Sequence, residues 1–216
     1  MKWRGRDEIM DFHEYRQEFL SSVRIAAESD QESTVTSFVK EAADTLLEAG
    51  VIPDYEPCFY IGNGKHNRRL RVDGYALDDY DMTMYLLVAD FSGTDEVETL
   101  TMTRAKMVFD RLYAFIEQAM IGELHNELEI STPVYDLVES LRINELRIRR
   151  FSLILVTDKK ASEKIETLPF REMQNIQVEY HIWDMNRFFK VADTESGRSL
   201  LHSPCFGYLK SEIYLE

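Results

Sequence analysis

A chain of 216 residues that is 44% hydrophobic and 12% aromatic has ample apolar surface for a buried core, which excludes an intrinsically disordered protein. Its formal net charge of −14 repels phosphate backbones and excludes indiscriminate nucleic-acid binding, leaving room only for a local basic groove or a cation held by carboxylates. Two cysteines, Cys58 and Cys205, are too few for a disulfide scaffold and are expected as free thiols; with no signal-like apolar segment in MKWRGRDEIMDF and no membrane-length run, the expectation is a soluble cytoplasmic protein with no membrane partner.

Residues 8–28 place Ile9, Phe12, Tyr15, Phe19, Val23 and Ala26 at steps of three and four, one face of an amphipathic helix. The cluster SDQEST interrupts it, and Thr34 or Thr36 is positioned to cap a second helix over 36–49. That helix buries Val35, Phe38, Val39, Ala42, Ala43, Leu46 and Leu47, and Gly50 and Pro53 end it. The periodicity then shortens. EPCFYIG, RRLRVDGYAL and MTMYLLVADF read as three strands joined by the loop GNGKHN and the turn DDYD, an antiparallel meander. The third run is apolar on both faces, as a central strand is. A helix is expected over 99–121, with Met107, Val108, Leu112, Phe115 and Ile116 inward and Gly122 as its stop. STPVYDLVESLRI has a capping hydroxyl and an early proline, the pattern of a short helix. RRFSLILVTD is a strand, ASEKIETL a short helix, IQVEYHIWD a last strand that Trp183 and Asp184 pack and cap, and MNRFFKVAD a brief helix. The order α-α-β-β-β-α-α-β-α-β-α gives an α/β fold with a mixed sheet, one domain over 1–195, and a tail or start of a further region over 196–216.

Two acidic residues stand out in this frame. With the turn at Asp78–Asp81 and the simplest register, Asp73, Leu86, Val88 and Asp90 share one face, so two carboxylates on adjacent strands could approach one Mg²⁺. The other reading is two solvated strand-end charges. Glu41 and Glu48, seven apart on the second helix, share a side and could add a ligand, or form a solvated acidic face. Lys65, His66, Arg68, Arg69 and Arg71 are concentrated against the acidic background; they fit a phosphate backbone or a charged edge strand that resists aggregation. Arg147, Arg149 and Arg150 carry the same ambiguity. The five histidines show no zinc spacing, and no nucleotide-binding or nucleophile motif occurs.

Through FVKEAADTLLEAG, VDGYALDDYDMTMYLLVADFSG and VEYHIWDMNRFF the chain resembles the N-terminal region of the AIPR (abortive-infection phage-resistance) family, over most of residues 10–192. The resemblance implies a restriction-endonuclease-like, PD-(D/E)XK core with added N-terminal helices. In that pattern Asp73 matches the second-strand Asp, and Glu41 or Glu48 the helix Glu. The third-strand acid and lysine fall on Val88 and Asp90. The lysine that would stabilise charge on the phosphate or orient water is thus replaced by an acid. Lys106 on the following helix could reach in, and Asp90 could itself be a metal ligand. The resemblance implies either of two things. One is a Mg²⁺-dependent phage-defence nuclease using Asp73, Asp90, Glu41 and Lys106, with nucleic acid held by Lys65, Arg68, Arg69 and Arg71. The other is an inactive scaffold for a phage or host protein partner or for homo-oligomeric assembly.

Overall fold

The computed structural model describes residues 11–122, 124–165 and 168–193. The tail over 196–216, Cys205, and the first residues of the expected leading helix lie outside the described residues.

Helix α1 (Phe12–Asp30) starts where the Asp11 carboxylate accepts the Glu14 N–H at 2.9 Å, and stops where Gln31 turns left-handed at φ 55°. Helix α2 (Thr34–Glu48) is capped by Ser33, not by either threonine: the Ser33 hydroxyl accepts the Thr36 N–H at 3.1 Å. Gly50, at φ 66°, follows its end. Strands β1 (Glu56–Asn63), β2 (Arg69–Asp78) and β3 (Thr83–Asp90) form the antiparallel meander, with a 3-10 turn at Lys65–Asn67 between the first two. The β2–β3 reversal is fastened by its own acids, Asp78 accepting the Tyr80 N–H at 2.8 Å and Asp81 the Thr83 N–H at 3.0 Å.

A short strand β4 (Thr99–Leu100) leads into α3 (Met102–Met120), followed by α4 (Leu124–Glu127) and α5 (Pro133–Ile143). This helical crossover returns the chain as β5 (Arg150–Thr157), parallel to β3. After β6 (Lys160–Ala161), β7 (Arg171–Met173) and β8 (Ile176–Trp183) make a hairpin, and α6 (Met185–Asp193) closes the described chain. The main sheet runs β1-β2-β3-β5-β8-β7, and β4 pairs with β6 in a small second sheet. β3 is indeed central.

Further expectations are corrected, and the helix expected from 99 begins at Met102 because Thr99–Leu100 pair with β6. No helix forms at the start of 161–168: Lys160 N–H and Ser162 N–H bond the carbonyls of Glu98 and Leu100 at 2.9 and 3.0 Å, and Asp184 takes the Ala161 N–H at 2.7 Å. Those tertiary bonds outweigh a weak local helical preference. Met107 is not inward; it is 38% exposed, whereas Val108, Leu112, Phe115 and Ile116 are buried.

The sheet has a core on each face, set by the two-residue alternation of its strands. On one side Leu86 and Val88 of β3 and Leu153 and Leu155 of β5 pack under α3 and α5. On the other, Leu87, Ala89, Ile154 and Val156 pack with residues of α1, α2 and α6. The Phe19 ring lies 6.0 Å from Phe38 and 5.9 Å from Phe188, tying three helices together. Among the described residues no helix is long and apolar enough to cross a membrane.

Candidate functional site

The β2–β3 ladder opens into a fork. Its last pair is Gly74 with Leu87, and beyond it Asp73 replaces main chain with side chain: its Oδ2 accepts the Ala89 N–H at 2.7 Å. Its Oδ1 accepts from Arg71 Nε at 3.0 Å. Tyr55 lies along the strand here and donates its hydroxyl to the Asp73 carbonyl at 3.3 Å. Only glycine fits at 74, because a Cβ there would stand 2.2 Å from a Tyr55 ring carbon. Asp73 is 2% exposed. Burial raises its carboxyl above the ordinary aspartate value, although Arg71 and the Ala89 N–H pull the other way.

Asp90 ends β3 on the α3 side of the sheet, in phase with Leu86 and Val88. Arg104, in the first turn of α3, donates to its Oδ1 from Nε at 3.0 Å and from a terminal nitrogen at 2.6 Å. Lys159, just past the neighbouring strand β5, brings its ammonium to 3.4 Å from Oδ2 and to 2.9 Å from Glu98. Asp90 Oδ2 is buried and makes no hydrogen bond. Burial works against the Asp90 charge, yet Arg104 and Lys159 outweigh it and hold the carboxyl below its usual value. Burial likewise opposes the Lys159 charge, and Glu98 and Asp90 hold that ammonium above the ordinary lysine value.

The other sequence candidates scatter. Glu41 does not join Asp90, because α2 packs on the opposite face of the sheet, against Leu87 and Ala89. There Glu41 is raised by burial and by the charges of Asp44 and Glu48, an acidic stripe along one helix. Glu48 is exposed. Lys106 does not reach in; it lines a small cleft with Phe109, Asp110, Arg171 and Tyr180, and Arg104 is the α3 residue that meets Asp90. Of the basic group, Arg68 is paired with Glu117, Arg71 with Asp73, and Lys65 and Arg69 are exposed. Arg111, two turns of α3 on from Arg104, is lowered by burial and by the like charges of Arg104, Arg69 and Arg71, with the charge of Asp90 working the other way. Among the described residues, no three His, Cys, Asp or Glu side chains converge as metal ligands.

Sequence reasoning missed Arg104, Arg111 and Lys159. Lys159 had a visible signal: it belongs to TDKK, directly after the strongest strand in the chain. It also missed a second charged centre. Arg16 of α1, 2% exposed, donates to the carbonyls of Thr94, Asp95, Glu96 and Asp158 at 2.7 to 3.3 Å. Asp158, fully buried, accepts the N–H groups of Ser92 and Gly93 and the Ser92 hydroxyl at 2.8 to 3.0 Å. Together they clamp the loop after β3. The signal was the phase of Arg16, which lies on the stripe of Phe12, Phe19, Leu20 and Val23. Cys58 is a free thiol, which burial pushes up to about 12.

As placed, the donor set does not fit Mg²⁺. Both Asp73 oxygens are occupied by N–H donors, one Asp90 oxygen holds Arg104, and the other faces an ammonium. A family model described as the abortive infection phage resistance protein N-terminal domain matches residues 38–190. No curated protein and no solved structure matches the chain.

Proposed function

The chain belongs to the abortive infection phage resistance family, and from that premise we propose that it serves phage defence as a recognition scaffold built on a nuclease-like core. Support for the core comes from the order α2, meander, crossover helix, parallel strand, with Asp73 on the second strand and Val88 and Asp90 on the third. The observation that carries the scaffold reading is that basic side chains of the protein itself neutralise both aspartates. On this reading the Lys159 ammonium, 3.4 Å from Asp90, serves as the partner of an acid and not as a stand-in for the missing lysine. The reading places the chain in the cytoplasm, in keeping with Cys58 as a free thiol.

Calorimetric titration with Mg²⁺ or Mn²⁺ tests this, on the wild type and on Asp73→Ala. The expected result is no heat that depends on Asp73, and no cleavage of DNA or RNA. Metal binding that disappears in Asp73→Ala would overturn the scaffold reading.

One observation favours a second reading, the Mg²⁺-dependent nuclease. Asp90 Oδ2 has only the long Lys159 contact at 3.4 Å, and Arg104 is 44% exposed, so its guanidinium has room to move off. Arg69 is exposed, and Arg111 feels the charge of Asp90 without forming an ion pair to an acid among the described residues, which suits a phosphodiester. On that reading Asp73 and Asp90 are the ligands, and cleavage must vanish in both Asp73→Ala and Asp90→Ala.

A further inference from the structure

Among the described residues the main sheet ends in β1 on one side and β7 on the other, and these edges are built differently. β7 is three residues long with Arg171 and Glu172 exposed, the short charged edge that discourages pairing. β1 is eight residues long and exposes Phe59 at 40% and Ile61 at 76%. Pro57 and a bulge between Pro57 and Tyr60 disturb only its beginning.

This edge is also recessed. A cleft of about 500 Å³ borders its first half at Pro57, Phe59 and Tyr60, walled on one side by Thr36 and Lys40 of α2 and on the other by Glu127, Glu129 and Pro133. Along the strand half of the main-chain N–H and C=O groups point away from β2, and no main-chain bond from outside the sheet reaches Cys58–Gly62 among the described residues. An extended chain pairs with such a row of donors and acceptors in register.

The two sides of the strand differ in chemistry. Cys58 and Tyr60 point to the core under α3 and α5, the side from which Glu127 and Glu129 rise. Phe59 and Ile61 point the other way. Lys40 is consumed by Glu32, bonding both its oxygens at 2.6 Å, so that pair contributes no net charge. Glu127 and Glu129 are exposed, and no basic side chain pairs with them among the described residues. A strand added here meets carboxylates with one set of alternate side chains and Phe59 and Ile61 with the other.

We infer that the β1 edge is a docking slot for one extended segment of a partner protein, added as a seventh strand, with basic and apolar side chains in alternation. A second copy of this acidic chain fits poorly, because it would bring like charge to the slot. The inference rests on the scaffold reading and names its partner chemistry, but the metal titration and the test below fail separately.

The probe is a labelled, acetylated eight-residue peptide alternating lysine and valine, added to the full chain and followed by fluorescence anisotropy and amide hydrogen exchange. Two control peptides are used, one alternating glutamate and valine, the other the lysine peptide N-methylated at every second residue. The expected result is saturable binding of the first peptide, at least about tenfold weaker binding of both controls, and slowed exchange in β1. In Glu127→Lys/Glu129→Lys, two exposed positions, the glutamate peptide should become the better ligand. Equal binding of the N-methylated peptide means charge alone is read and overturns the slot. So does an absence of binding, or protection confined to another element. If the outer β1 amides are already protected in the free chain, the chain covers its own edge and a foreign partner is overturned.

Discussion

Asp90 and Asp158 stand at the carboxyl ends of adjacent parallel strands, both buried and both facing a cation, and they differ in what is left over. Around Asp158 the accounting is closed. Three donors reach its carboxylate, and Arg16 spends its guanidinium on four carbonyls and is itself 2% exposed. Around Asp90 it is looser. One oxygen has the Lys159 ammonium at 3.4 Å and no closer donor, and Arg104 is 44% exposed. A buried charge tied to main-chain donors at 2.8 to 3.0 Å fixes the loop that carries them; one neutralised by a half-exposed guanidinium and by an ammonium at 3.4 Å is held less tightly. The difference separates the clamp from the candidate site more sharply than burial does.

That contrast can be broken in order of expected effect. Arg16→Met strands four carbonyls and leaves Asp158 without its cation, and should cost about 3–5 kcal/mol in a urea melt. Arg104→Met should cost about 1 kcal/mol or less, since water can replace it. Equal losses in the two variants would erase the distinction. Next comes the fork. Asp73→Ala removes the acceptor of the buried Ala89 N–H and should cost about 1–3 kcal/mol. Asp73→Asn keeps an acceptor and sheds a charge that burial penalises, so it should lie within about 1 kcal/mol of wild type at neutral pH.

The pH dependence of stability separates the two aspartates of the site by sign. Asp90 has a lowered folded value, so its contribution is present above the unfolded carboxylate value of about 3.9 and is lost as pH falls through the folded value. Asp90→Asn should therefore flatten the acid limb of the stability curve. Asp73 is raised, so its protonated form favours the fold, and that contribution is lost as pH rises from the unfolded value through the folded one. Asp73→Asn should remove a loss on that limb. If both variants change the acid limb in the same direction, the pairing described for one of them is wrong. The smallest effect belongs to the exposed Arg24–Asp95 bridge beside the clamp: Arg24→Ala should leave the melting midpoint unmoved.

Much of this architecture was legible in the sequence. The steps of three and four at Phe12, Phe19 and Val23 and at Phe38, Ala42 and Leu46 specify two helices and their buried faces. DDYD specifies the β2–β3 reversal and its register, in which Gly74 pairs with Leu87, whereas the shared face expected for Asp73 and Asp90 lies past the end of that ladder. Short tertiary elements were not legible. β7 is three residues long and exists because Gln174 and Asn175 both take positive φ, 50° and 68°, in a turn without glycine. The site was read halfway. Spacing located both aspartates but not their partners, since Arg104 and Lys159 arrive from a helix and from the turn after β5, separated from Asp90 by 14 and 69 residues of chain. Nor could spacing tell that Asp73 terminates a ladder, which depends on where β2 leaves β3.

The clamp has a practical corollary for recombinant work. The family match opens at Phe38, inside α2, and so omits Arg16 and Phe19. A gene trimmed to that boundary would encode a polypeptide whose Phe38 and Phe188 rings lose their shared neighbour and whose carbonyls at 94–96 lose their donor. Such a fragment should be recovered in inclusion bodies, whereas one opening at Asp11 keeps the cap of α1 and should be recovered in the supernatant.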